Sequence, residues 1–299
     1  MTHTNKNIFY ILLLIAMIAW GASSVNMKVL SNYINEYEMM FFRYFFTALF
    51  MIPIIMFLKK SFRVDLKVFF LIIISAILFI AYTKYFYVGV KLGTASLGGA
   101  LVTTLVPINT FIFLAFLKVK KITVKSAFAL ILGAIGVLTM LNIWSFKAEE
   151  IFKEQNLYFL LASLIWPIVT IISSKVTKVS PLVFTFYIYL VASLISLFFF
   201  VDLQEINYVS FDSSFYINLV MITLVATVFG NTIYFLGVEK LGAEVSSFIF
   251  LVPFSSITLS AIFLKEEITI SIVIGTILTI ISVKILNDIK IFKSRKKSQ

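Results

Sequence analysis

The chain has 299 residues, of which 61% are hydrophobic and 13% charged, with a mean hydropathy of +1.05 and a net charge of +11. A soluble domain is nearer half apolar and a quarter charged, so this surface cannot be hidden in a globular core, and lipid must be the solvent for much of the chain. There is no cysteine and one histidine, His3, which removes disulfides and the usual thiolate and imidazole ligands; no metal and no cofactor is expected.

Ten apolar segments follow in chain order, at 8–30, 37–58, 67–90, 95–117, 124–144, 157–177, 181–201, 215–236, 244–264 and 269–287. Each approaches the roughly 20 residues that a spanning helix needs, and the loops between them leave no room for a separate soluble domain. The runs are continuously apolar rather than alternating, which favours helices over a β-barrel. Lys6 and Ala22-Ser23-Ser24 mimic a cleavable signal peptide, but the first apolar run reaches Leu30 and nine more follow, so a retained first helix is expected. The fold class predicted is all-α integral membrane, with ten transmembrane helices as two inverted five-helix repeats. The repeats are placed at 1–144 and 157–299, with a linker at 145–156 on the outer side.

Basic residues set the orientation. With the N-terminus placed in the cytoplasm, that side holds Lys6, Lys59, Lys60, Arg63, Lys67, Lys118, Lys120, Lys121, Lys125, Lys175, Lys178, Lys240 and the five basic residues after 289, seventeen in all. The other side holds five: Lys28, Lys91, Lys147, Lys153 and Lys265. Both termini are therefore expected in the cytoplasm, and the positive charge is read as orientation, with no nucleic-acid partner. Compact loops and the Ile, Lys and Phe bias point to a bacterial inner membrane.

The halves repeat. Residues 82–93 lie over 231–242 at an offset of 149, with Thr83, Tyr85, Phe86, Lys91, Leu92 and Gly93 matched by Thr232, Tyr234, Phe235, Lys240, Leu241 and Gly242. At an offset of 146, Trp20 falls on Trp166, Pro107 on Pro253, and Ile122-Thr123 on Ile268-Thr269. Five spans per half is odd, so the second half enters the membrane with opposite polarity. That is the mechanical basis of alternating access.

The order of these residues resembles the EamA-type members of the drug/metabolite transporter superfamily. The carriers are Trp20-Gly21, Arg43-Tyr44, Tyr85 through Gly93 with Ala95-Ser96, Pro107, Trp166, Tyr234 through Gly242, Pro253 and Leu264 through Thr269. The resemblance covers essentially the whole chain and implies a ten-helix transporter of small metabolites. Two positions depart from it: Lys120 stands where such proteins often carry a glutamate, mirrored here by Glu266, and Gly21 is mirrored by Pro167.

Charges at membrane depth are costly and become candidates for function. Arg43 and Lys84 qualify, the latter flanked by Tyr82, Tyr85 and Tyr87; Lys284 reads as a snorkelling anchor. A lysine among tyrosines suits a carboxylate or phosphate. Its mirror position is Ile233, so the pocket is asymmetric there. Glu38 and Glu244 open their spans, and no carboxylate sits at mid-membrane, which argues against proton coupling through an acid. A polar and aromatic set, Trp20, Ser23, Ser24, Asn26, Asn109, Trp166, Thr170, Asn231 and Tyr234, is a candidate cavity lining. Pro107 and Pro253 are candidate gating positions, and Gly89-x-x-x-Gly93 and Gly133-x-x-Gly136 read as close helix contacts. The expected function is a secondary transporter for a small solute, an amino acid or a related anionic or amphipathic molecule, with export among its possible directions. A lipid-modifying membrane enzyme and a channel or sensor are the alternatives; against the enzyme stands the lack of HExxH, paired aspartates or a histidine base.

Overall fold

The computed structural model describes residues 3–119, 121–142, 144, 152–174, 176, 178–241, 248–249 and 251–286. Among them every regular element is helical. The first half comprises α1 (His3–Leu30), α2 (Glu36–Phe57), α3 (Leu66–Leu92), α4 (Ala95–Phe116) and α5 (Val124–Met140). The second comprises α6 (Glu154–Ser174), α7 (Pro181–Phe199), α8, α9 (Leu251–Leu264) and α10 (Ile270–Leu286). Helix α8 is one rod of three parts: α-helical Ser213–Val220, π-helical Met221–Phe229 and α-helical Gly230–Leu241. Seven of the ten are long and apolar enough to cross a membrane alone; α5, α9 and α10 are shorter apolar helices. Lys120, Glu244 and most of the 145–156 linker lie outside the described residues.

Local sequence sets the helix ends. Asn35 caps α2 in a capping box: its side chain accepts from the backbone of Tyr37 and Glu38, and the Glu38 carboxylate accepts from Asn35 N–H at 2.8 Å. Asp65, Thr94, Thr123 and Asp212 cap α3, α4, α5 and α8, and Pro181 opens α7. The fifth helix ends at Met140 rather than 144, because Asn142 adopts φ 56°. Asn tolerates that left-handed conformation better than most residues, and it stops the helix.

Helix contacts obey exchange of the halves. Helix α1 lies on α8 and α9, and its counterpart α6 lies on α3 and α4; α2 pairs with α7, α4 with α9, and α5 with α10. The α5–α10 seam brings backbone against backbone. A Cβ on Gly275 would stand 2.5 Å from the Gly136 carbonyl oxygen, and one on Gly133 2.7 Å from Ser282 Oγ. Gly89 and Gly98 both make room for the Phe159 ring, so the glycine spacings serve packing.

One end of the bundle carries a clamp. Lys28, counted in the sequence as a loop charge, lies in the last turn of α1. Its Nζ donates to the carbonyls of Val90, Lys91 and Gly93 at 2.8, 2.8 and 2.6 Å, satisfying the end of α3. Glu266, from the α9–α10 turn, accepts from the N–H groups of Ala95 and Ser96 at 2.8 and 3.0 Å, satisfying the start of α4. Neither partner is mirrored: at an offset of 146, Lys28 falls on Ser174 and Glu266 on Lys120.

Candidate functional site

Five helices, α2, α3, α6, α7 and α8, bring an aromatic cluster together beside Arg43. The guanidinium lies 5.9 Å from the Tyr44 ring centroid, and its charge reaches the hydroxyls of Tyr44, Tyr82 and Tyr189. Its Nε and Nη2 donate to Thr227 Oγ1 at 3.3 and 3.2 Å. Among the described residues no carboxylate pairs with the guanidinium, so its hydrogen-bonded partner is an uncharged hydroxyl.

The rings interlock. Trp166 lies 4.8 Å from Tyr82 and 5.3 Å from Phe79, and Tyr189 lies 5.3 Å from Tyr44 and 5.4 Å from Phe79, centroid to centroid. Tyr44 shares a hydrogen bond with Thr83. Asn231 Nδ2 donates to Tyr189 O–H at 2.8 Å, and the Tyr234 ring sits 5.1 Å from Trp20. Tyr44 and Tyr189 are buried and Arg43, Trp20, Tyr82, Trp166, Asn231 and Tyr234 half-buried; Trp20 and Tyr234 pack in a separate cluster with Ala16, Met17 and Val252.

Lys84 belongs to a different place. Its Nζ donates to Tyr37 O–H at 2.7 Å and lies 5.1 Å from that ring, which stacks on Phe200 at 4.6 Å. Tyr85 stacks on Tyr158 at 6.0 Å nearby. Tyr87 turns away and donates to the Ile34 carbonyl. Lys84 and Tyr85 therefore lie toward the end of the bundle that carries the Lys28 clamp, and Arg43 sits deeper, six residues along α2 from Tyr37.

Ser24 and Asn109 are occupied by helix packing. Ser24 Oγ is 2.6 Å from Ser256 Oγ, and Asn109 Nδ2 donates to Ser163 O and Oγ at 3.1 Å each. Thr170 is exposed and Lys284 is exposed. Pro107 and Pro253, at mirrored positions, both line one water-sized cavity of about 10 Å³ with Thr103, Thr104, Ile249, Ile280 and Val283. Pro107 lies inside α4, where its missing N–H leaves the Thr103 carbonyl without its usual donor, whereas Pro253 lies in the first turn of α9, where no such bond is lost.

Sequence reasoning missed Tyr189 and Thr227. Tyr189 carried a signal, since it falls on Arg43 at the offset of 146. Thr227 carried none, because its place depends on the π-helical turn.

An all-helical bundle of apolar helices, seven of them long enough to span a bilayer, defines an integral membrane protein. The sequence profile of the EamA-like transporter family matches residues 7–142 and 155–287, and the chain belongs to that family. It is 25% identical over 185 residues to the S-adenosylmethionine uptake transporter of Rickettsia bellii and 26% identical over 185 residues to that of Rickettsia conorii. The matches span 62% of this chain, and 62% and 61% of the relatives' own lengths. A solved crystal structure superposes with a TM-score of 0.62 at 15% identity, covering 93% of this chain and 96% of that one, which speaks to the fold alone.

Proposed function

We propose that this protein is a secondary transporter for a small amphipathic metabolite that bears a carboxylate, S-adenosylmethionine or a close chemical relative. It works by alternating access in a bacterial inner membrane, with both termini in the cytoplasm. The observation that carries the reading is Arg43: a half-buried guanidinium bonded to an uncharged hydroxyl and lying against the Tyr44 ring, beside the cluster of Phe79, Tyr82, Trp166 and Tyr189. A carboxylate would meet the guanidinium as a charge-assisted pair. A sulfonium or an adenine ring would find the faces of Trp166, Tyr82 and Trp20. Lys84 and Tyr85 form the entry vestibule, and Pro107 and Pro253 form the flexible crossing between the halves. The names of the relatives support this substrate, and their direction, uptake, supports import for this chain too.

The test is transport by purified protein in proteoliposomes. Labelled S-adenosylmethionine enters saturably, exchanges in counterflow, and is competed by unlabelled substrate. Uptake that matches empty vesicles, or that rises linearly without counterflow, would refute the proposal. Arg43→Ala removes the carboxylate partner and is expected to raise the half-saturation concentration about tenfold or more.

A further inference from the structure

The π-helical turn Met221–Phe229 in α8 has no counterpart in the other half. At the offset of 149 it falls on residues 72–80, which lie within the regular α-helix α3. The fold therefore does not require it. A nine-residue π segment widens the helix and costs hydrogen-bond geometry, and such segments are found mostly where function needs them.

The hydroxyl of Thr227 shows what the turn does. Elsewhere the helical hydroxyls back-bond three or four residues, as Thr104 does to Ala100, Thr110 to Val106 and Thr139 to Ile135. Thr227 Oγ1 instead donates five residues back, to the Ile222 carbonyl at 2.6 Å. That bond spends the one hydroxyl proton and leaves the oxygen lone pairs to accept from both Nε and Nη2 of Arg43. Among the described residues, the Nη1 edge and the second Nη2 proton have no hydrogen-bond acceptor. Thr223, in the same segment, is 2% exposed with its hydroxyl unpartnered among the described residues.

We infer that Thr227 is a positioning residue for substrate recognition: the π turn aims its hydroxyl so that one edge of the Arg43 guanidinium is held and the other is presented to the substrate carboxylate. The inference rests on the reading of Arg43 as the carboxylate partner. An α-helical register would move Thr227 around the helix and release the guanidinium to the tyrosine hydroxyls.

Two measurements test it. In proteoliposomes, Thr227→Val is expected to raise the half-saturation concentration for S-adenosylmethionine roughly tenfold, to leave the value for its decarboxylated form within twofold, and to be rescued by Thr227→Ser. Equal effects on both substrates would make Thr227 merely structural and overturn the inference. Loss of carboxylate discrimination in Arg43→Ala but not in Thr227→Val would overturn it while leaving the Arg43 reading intact. Unchanged discrimination in Arg43→Ala would overturn both. The second measurement needs no substrate. The chain has three arginines, Arg43, Arg63 and Arg295, so side-chain Nε–H signals of arginine-labelled protein are resolvable and assignable by Arg43→Lys. The Arg43 Nε–H should exchange slowly with water and lose that protection in Thr227→Val. Exchange of Arg43 as fast as that of Arg63 in the unmodified protein overturns the inference, whatever is transported.

Discussion

Asp212 shows how much a single exposed carboxylate can organise. It caps α8 by accepting from Phe215 N–H at 3.0 Å, and it accepts from Tyr33 O–H at 2.9 Å, tying the α1–α2 turn to the start of the helix that carries Thr227. The backbone donor first, and the tyrosine second, hold its carboxyl below the usual carboxylate range. A carboxylate depressed on folding contributes stability above its unfolded pKa and loses it as pH falls through the folded one. Asp212→Asn is therefore expected to lower the melting temperature of the protein near neutrality. The gap between variant and parent should close as the pH drops below about 4. A gap independent of pH would show that the charge plays no part. Tyr33, conversely, has its phenol raised, because the neighbouring carboxylate favours the neutral hydroxyl that donates to it. At this scale the sequence was informative about which residue types lie at depth and uninformative about where they point. Arg43 and Lys84 were both legible as intramembrane cations, but their placement in two different sites depends on the rotation of α2 and α3 about their axes. Uniformly apolar helices carry little record of that rotation. Ser24 and Asn109 were legible as polar, and only packing reveals that α9 and α6 take up their hydrogen bonds.

Among the elements, the helix boundaries were largely readable because caps are local chemistry. Asn35, Asp65, Thr94 and Thr123 stand one residue before their helices, and their side chains accept the bonds that the first turn would otherwise leave unpaired. The π turn in α8 was not readable, since its residues are as apolar as any α-helical run. The α5–α10 seam was half readable: Gly133 and Gly136 announced a close contact, and the partner, Gly275, was not assigned. Gly275→Ala would push a methyl group to 2.5 Å from both the Gly136 carbonyl oxygen and Met140 Cγ. The backbone cannot retreat as a side chain can, so this variant is expected to lose about 1–3 kcal/mol in unfolding from mixed micelles. An unchanged unfolding midpoint would mean that the two helices separate freely. The clamp at the other helix ends is charge-assisted. Glu266→Ala leaves the first N–H groups of α4 without acceptors and is expected to cost about 1–2 kcal/mol in the same measurement.

At the scale of the whole molecule, the repeat made the architecture legible, because a duplicated half must pack against itself in mirrored fashion. Trp20 of α1 against Tyr234 of α8, and Trp166 of α6 against Tyr82 of α3, are the two sides of that relation, and Pro107 and Pro253 line one cavity between α4 and α9. In the proposed transport cycle, single cysteines replacing Trp20 and Trp166 should change their sidedness of labelling when substrate is added; the cysteine-free parent gives no background. Labelling from one side only, in every condition, would argue against exchange. The glycine seam has a mechanical corollary. Backbone touches backbone across Gly136 and Gly275, which makes α5 and α10 the expected pivot of the proposed cycle. Displacement about a pivot grows with distance from it. Paired spin labels across the seam should keep one separation throughout the cycle, while pairs between α1 and α6, on the far arms of the lever, record the full stroke.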